Sequence, residues 1–122
     1  MKISILLPYK ENFSPSYAGA VSLFINDTIK LSNFRNTTTV YGYTEYKEKF
    51  KSKYINIHTS KKFFSSSNKE YVKKFIDIEQ EKKSNLIEIH NRPNYLYFLV
   101  KGLSKRNYIL YFHNDPLSMN GS

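Results

Sequence analysis

The chain has 122 residues, room for one ordinary domain and not two, yet enough to bury a hydrophobic core. It carries no cysteine, which excludes disulfides and thiolate metal sites and agrees with a reducing compartment. A formal charge of +9 raises nucleic-acid binding, but Arg occurs only at Arg35, Arg92 and Arg106 and no DNA- or RNA-binding motif is present.

The lysine excess is diffuse. From Glu45 to Lys83 eleven Lys stand against six acids (Glu45, Glu48, Glu70, Asp77, Glu79, Glu81). This reads as a solvated basic face, of the kind drawn to an anionic membrane surface.

Lys2 to Pro8 is a short apolar run ended by proline, which suits a strand buried on both faces. It is too short for a signal-peptide core or a membrane span. A polar turn, Tyr9 to Tyr17, leads to Ala18-Gly19-Ala20 and a helix to about Ser32, with Val21, Phe24, Ile25, Thr28 and Ile29 as its apolar face. Thr37 to Tyr43 is the second strand and Tyr54 to His58 the third, while the charged stretch Glu45 to Lys53 has the composition of a helical turn. Ser67-Asn68-Lys69-Glu70 has capping-box spacing. It predicts a helix from Asn68 to Lys83 with Tyr71, Val72, Phe75, Ile76 and Ile78 inward. Asn85 to His90 is the fourth strand. Pro93 opens a helix with Leu96, Leu99, Val100 and Leu103 as its stripe and Gly102 near its end. Asn107 to His113 is the fifth strand.

Strands alternating with helices predict an α/β fold, a doubly wound, Rossmann-like parallel sheet of order 3-2-1-4-5 spanning residues 1–122 as a single domain. Ligands in such sheets bind beyond the carboxyl ends of the strands, near the switch between strands 1 and 4.

Two turns then fall side by side on that edge: His90-Asn91-Arg92-Pro93 and His113-Asn114-Asp115-Pro116. Asn and Pro make good turns by themselves, and a single strand-end His is most simply structural. The pair on the ligand edge points to function. His58 belongs to a strand on the far side and reads as structural, so no three-His metal site is expected. A dinucleotide site needs G-x-G-x-x-G directly after strand 1, and only Gly19 is there. A lone Gly at a helix start still lets a phosphate approach free N–H groups. The residues alone take the reading as far as a ligand-binding edge with imidazoles.

The run Ile-His-Asn-Arg-Pro-Asn-Tyr, from Ile89, and the run Tyr-Phe-His-Asn-Asp-Pro-Leu-Ser-Met-Asn-Gly-Ser, from Tyr111, resemble the amino-terminal domain of retaining glycosyltransferases of family 4. Pro15-Ser16-Tyr17-Ala18-Gly19 is similar to that family's Pro-x-x-Gly-Gly loop, with Ala18 in place of the first Gly. The resemblance covers the whole chain in order; it is specific in the last third and loose between Lys47 and Lys83. It implies the incomplete amino-terminal half of a GT-B fold, with the donor-binding domain and its paired-Glu motif lying beyond Ser122. The expected activity is sugar transfer from a nucleotide-sugar donor to a lipid-linked or saccharide acceptor, as in lipopolysaccharide, polysaccharide or glycolipid synthesis. No metal or other cofactor is expected, and the chain alone is expected to be inactive and poorly stable. Ala18 and Gly19 would approach the donor diphosphate. His113 and Asp115 would stand at the reaction centre, and His90, Asn91, Arg92 and Asn114 on the acceptor side. The expected setting is cytoplasmic, peripheral at the inner membrane face, with no nucleic-acid partner. The alternatives are a non-catalytic sugar- or nucleotide-binding module and, third, a basic nucleic-acid-binding protein that uses its Lys excess and exposed aromatic rings.

Overall fold

A computed structural model of the chain describes residues 1–60 and 67–113. Its elements are β1 (Ile3–Leu6), α1 (Ala20–Leu31), a 3-10 turn (Arg35–Thr37), β2 (Thr38–Gly42), β3 (Tyr54–Asn56), α2 (Ser67–Lys82), β4 (Leu86–His90), α3 (Pro93–Gly102) and β5 (Asn107–Tyr111). The strands form one sheet in the order β3-β2-β1-β4-β5, as the sequence predicts, and every pairing is parallel.

All four residues of β1 are buried because both faces are covered. On one face Ile3, Ile5 and Val40 pack under Val21, Ile25 and Ile29 of α1, with Phe13 from the first loop closing the cluster. On the other, Leu6, Tyr41, Ile87 and Ile89 meet Tyr71, Val72 and Phe75 of α2 and Tyr95 and Leu99 of α3. Alternate strand residues therefore feed two separate cores.

Four details differ from the sequence reading. Residues 45–53 form no helical turn; the segment is tied to its neighbours by backbone bonds, Phe50 N–H to the Phe13 carbonyl (3.3 Å) and Val40 N–H to the Lys53 carbonyl (2.9 Å). The stripe of α3 runs Tyr95, Leu99, Leu103, one residue off the predicted centre, and Val100 is 57% exposed. Phe24 and Thr28 of α1 are exposed, for the inner positions go to Ser22 and Asn26. Glu70 of the capping-box motif reaches back across the loop, where its carboxylate accepts from Ser60 N–H (2.8 Å) and Ser60 Oγ (2.7 Å). β5, at the sheet edge, is half-exposed.

Polar groups inside the sheet are satisfied by side chains that come from far along the chain. Glu79 of α2 is fully buried, and its carboxyl receives the hydroxyls of Ser4 (2.7 Å) and Ser84 (2.9 Å) and the Ser84 N–H (3.0 Å). One turn on, Lys82 Nζ donates to Thr39 Oγ1 (2.7 Å) and the Tyr41 hydroxyl (2.9 Å). Burial lowers the Lys82 pKa, while burial and, second, the Glu79 charge push Tyr41 up to about 12. At the opposite edge the Tyr71 hydroxyl donates to the Leu7 carbonyl (2.7 Å), and the Tyr95 hydroxyl donates to Asn68 Oδ1 (2.7 Å) while accepting from Tyr9 N–H (3.1 Å).

Truncating Glu79 strands two buried donors, the Ser84 N–H and one of two serine hydroxyls that stand 2.6 Å apart and can bond each other, so Glu79→Ala should cost about 2–4 kcal/mol. Glu79→Gln, which keeps the side-chain volume and one of the two acceptor oxygens, should cost less than that. Urea unfolding followed by far-UV circular dichroism measures both; equal losses for the two variants would mean that the second carboxylate acceptor, which Gln lacks, sets the cost, and not the side-chain volume that Gln keeps.

Candidate functional site

The parallel register sets the carboxyl ends of β4 and β5 level, with His90 opposite Tyr111. The chain after β4 then turns through Asn91, whose φ of 54° is left-handed, a conformation Asn tolerates better than most residues. From there Asn91 N–H donates to the Tyr111 carbonyl (2.8 Å) and Asn91 Oδ1 accepts from His113 N–H (2.7 Å). Asn91 thus clamps the two strand ends together and aims His113.

The clamp brings His90 Nδ1 within 2.8 Å of His113 Nε2. His90 is 1% exposed, stacked on Tyr111 at 4.8 Å and on His113 at 5.1 Å. Phe24, reaching over from α1, meets the His113 ring edge-on at 5.0 Å. The remaining nitrogen of His90, Nε2, is buried without a hydrogen bond, and Glu88 Oε2 stands 3.6 Å away. Glu88 itself borders a cavity of about 140 Å³ between α1 and the sheet, with Phe24, Thr28 and Tyr111 among its walls.

One hydrogen must lie between the two imidazoles, so at most one ring can be an imidazolium while the contact stands. The Glu88 carboxylate favours a proton on His90 Nε2, which leaves Nδ1 as the acceptor of His113 Nε2–H. His113 Nδ1 then carries a free lone pair. Burial, and next the neighbouring His90, hold the His113 pKa below 6.5, with the Glu11 carboxylate opposing them. Neutral His113 at the half-buried rim is a proton or hydrogen-bond acceptor that a ligand can reach.

The start of α1 is not the open anion site its sequence suggests. Gly19 is the N-cap and offers no side-chain bond. Glu11 supplies one from the first loop: its carboxylate accepts from Ser22 N–H (3.4 Å) and Ser22 Oγ (2.8 Å), placing negative charge at the positive end of the helix. The carboxylate lies so close to Gly19 that a Cβ there would stand 2.3 Å from Glu11 Oε2. A side chain at position 19 would displace the Glu11 carboxylate from its place at the helix start; the φ of −74° at Gly19 is open to any residue.

Of the residues singled out from sequence, His90, Asn91 and His113 come together and Gly19 lies across the crevice with Glu11. His90 and Asn91 are buried, and each is hydrogen-bonded to His113. Arg92 is half-buried and donates to the Asn91 carbonyl (2.8 Å). Ala18 is half-buried beside Gly19. Asn114 and Asp115 lie outside the described residues. His58 sits beyond β3 on the far side of the sheet, its carbonyl bonded by Lys74 Nζ. Among the described residues no group of three or more His, Asp or Glu is placed to hold a metal ion, and no helix is long and apolar enough to cross a membrane. Sequence reasoning missed Glu11, Phe24, Glu88 and Tyr111. Only Glu11 left a signal, an acid in the loop ahead of a helix that lacks a capping side chain.

Compared with known proteins, the chain matches no family model, no curated sequence and no solved structure.

The Glu11–Gly19 contact gives a thermodynamic cycle. Gly19→Ala should cost roughly 1–2 kcal/mol by displacing the cap, and Glu11→Ala about 1 kcal/mol. In the double variant the Gly19→Ala cost should nearly vanish; additive urea-unfolding losses would refute the coupling. A second outcome concerns pH. Because the His113 pKa is lower folded than unfolded, the folded chain binds fewer protons, so stability is complete above pH 6.5 and falls as pH drops below it. The urea midpoint should fall between pH 7.5 and pH 5.5 by less in His113→Gln than in the parent chain.

Proposed function

We propose that this chain is the amino-terminal, acceptor-side part of a retaining, nucleotide-sugar-dependent glycosyltransferase acting on a polysaccharide, lipopolysaccharide or glycolipid acceptor. The observation that carries the reading is the His90–His113 contact of 2.8 Å at the carboxyl edge of the sheet. It unites the two segments whose sequences resemble the family, at the place where doubly wound sheets take their ligands.

In this reading His113 does the contacting. Its Nδ1 lone pair accepts from a sugar hydroxyl, or takes the acceptor hydroxyl's proton as that oxygen bonds to the donor's anomeric carbon and the bond from that carbon to the nucleoside diphosphate breaks, the diphosphate leaving with the electron pair. His90 holds that tautomer through its hydrogen bond, and Glu88 holds His90. Phe24 offers an apolar ring edge beside the imidazole for the face of a sugar ring. The nucleotide-sugar donor is a co-substrate, no metal is invoked, and the Lys-rich face suits a cytoplasmic position against an anionic membrane that presents a lipid-linked acceptor.

A second reading, a non-catalytic saccharide-binding module, is favoured by Glu11. Its carboxylate occupies the helix end that a donor diphosphate would approach, and a second anion would be repelled while it stays.

Titrating the ¹⁵N-labelled chain with UDP-glucose, UDP-N-acetylglucosamine and GDP-mannose, and separately with neutral oligosaccharides, distinguishes these. The transferase reading expects nucleotide sugars to shift the His113, Asn91 and Gly19 amide signals and His113→Ala to abolish the shifts. The module reading expects neutral saccharides alone to do so. Silence from both ligand sets would remove both readings.

A further inference from the structure

A second cavity along α1 lies at the other end of that helix from the imidazoles. It measures about 820 Å³ and runs between the second half of α1, the 3-10 turn and residues 48–53. Lys30, Arg35, Lys49, Lys51 and Lys53 line it, against the single acid Glu48. Lys49 Nζ is partly engaged by the carbonyls of Tyr46 (2.9 Å) and Lys47 (3.4 Å), and Glu48 by a long contact from Ser16 Oγ (3.5 Å). Lys30, Lys51 and Lys53 make no side-chain hydrogen bond or ion pair to a described residue. A concave wall of one sign concentrates the field and favours a counter-ion over open solvent.

Asn26 supplies the independent observation. It is 6% exposed, lines the same cavity, and its amide makes no hydrogen bond to any described residue. Its amide atoms are not sealed from solvent, so their hydrogen-bonding capacity is open to whatever fills the cavity. One turn before it on the same helix, Ser22 is satisfied by the Glu11 carboxylate. Beside Asn26, Ile29 and Phe50 give the cavity an apolar wall, with Phe50 braced edge-on against Phe13 at 5.0 Å.

We propose that this cavity binds a soluble, phosphorylated small molecule of sugar-phosphate size. The phosphoryl group is held by the lysines and Arg35, Asn26 hydrogen-bonds the ligand at depth, and Phe50 packs on its carbon skeleton. A plane of lipid headgroups could meet the exposed lysines but could not reach a buried amide, so a small molecule fits the pocket better than a bilayer. The site shares no contacting side chain with His113 and does not depend on the reading of that edge.

Amide spectra of the labelled full chain at low salt, titrated with glucose 6-phosphate, inorganic pyrophosphate and glucose, test this. Glucose 6-phosphate should bind saturably and shift signals within residues 26–36 and 48–53, pyrophosphate should compete for the same signals, and glucose should do neither. Lys51→Gln/Lys53→Gln changes exposed side chains and should weaken glucose 6-phosphate binding by about tenfold or more. Asn26→Leu should weaken it without altering net charge, and Lys101→Gln/Lys105→Gln, outside the cavity, should not. Four results would overturn the proposal: no saturable binding, equal weakening by the Lys101/Lys105 variant, unchanged binding in the Lys51/Lys53 variant, or binding only to phosphatidylglycerol vesicles.

Discussion

Everything in this fold follows from β1 being buried on both faces between two parallel neighbours. Its pairing to β2 on one side and β4 on the other satisfies its backbone, and parallel neighbours can be reached only through crossovers that put helices over the sheet. α1 therefore covers one face while α2 and α3 cover the other. Because all strands run the same way, the loops that follow them collect at one edge. The chain departs from β1 towards β2 and later returns on the other side to β4, so the crevice opens between the first loop and the β4 turn. Gly19, His90 and His113 meet there for topological reasons, before any chemistry is considered.

The two edges of the sheet solve the burial of polar groups differently. At the amino edge a carboxyl and two serine hydroxyls close a compact set, Glu79 with Ser4 and Ser84. At the carboxyl edge tyrosine hydroxyls serve the strand-end carbonyls and loop amides, Tyr71 on Leu7 and Tyr95 beneath Tyr9. That leaves the imidazoles free of structural duty towards the backbone. His90 spends one nitrogen on His113 and faces Glu88 with the other, so a carboxylate, a buried ring and a rim ring stand in series. The series is set by Asn91, which adopts a left-handed turn and uses both its N–H and its side-chain oxygen to hold β5 in line.

How much of this could be read from sequence depends on the range of the interaction. Apolar runs such as Ile3 to Leu7 announce buried strands, and the crossover rule orders them, which sufficed to make His90 and His113 neighbours. The inner faces of the helices were legible to within one residue: α3 buries Tyr95 where Val100 was expected, because a tyrosine can bury its ring and still take its hydroxyl to Asn68 and Tyr9. Glu79 was hidden because Ser4 lies 75 residues away; it reads as one more charge on a solvated helix until Ser4 is placed beside it, whereas Glu11 left the trace of an acid just ahead of a helix without a capping side chain. Phe24 looked like core by its spacing and proved to border the cavity beside Glu88 and Tyr111, since the inner face of α1 is shared by Val21, Ile25 and Ile29 with the polar Ser22 and Asn26.

Those polar residues, Ser22 and Asn26, connect the two ends of α1. Both are buried, one helical turn apart on a face that should be apolar by every rule of helix patterning. Such positions are retained at a cost in core packing unless a polar partner compensates. For Ser22 the partner is the chain's own carboxylate, which also caps the helix and lies against Gly19. For Asn26 the surroundings are five cationic side chains and one acid. A carboxylate from the protein completes the first position; by the same electrostatic logic the second is complementary to an anion from outside it. The basic charge of the chain, diffuse when read along the sequence, becomes specific where the fold gathers part of it around that amide.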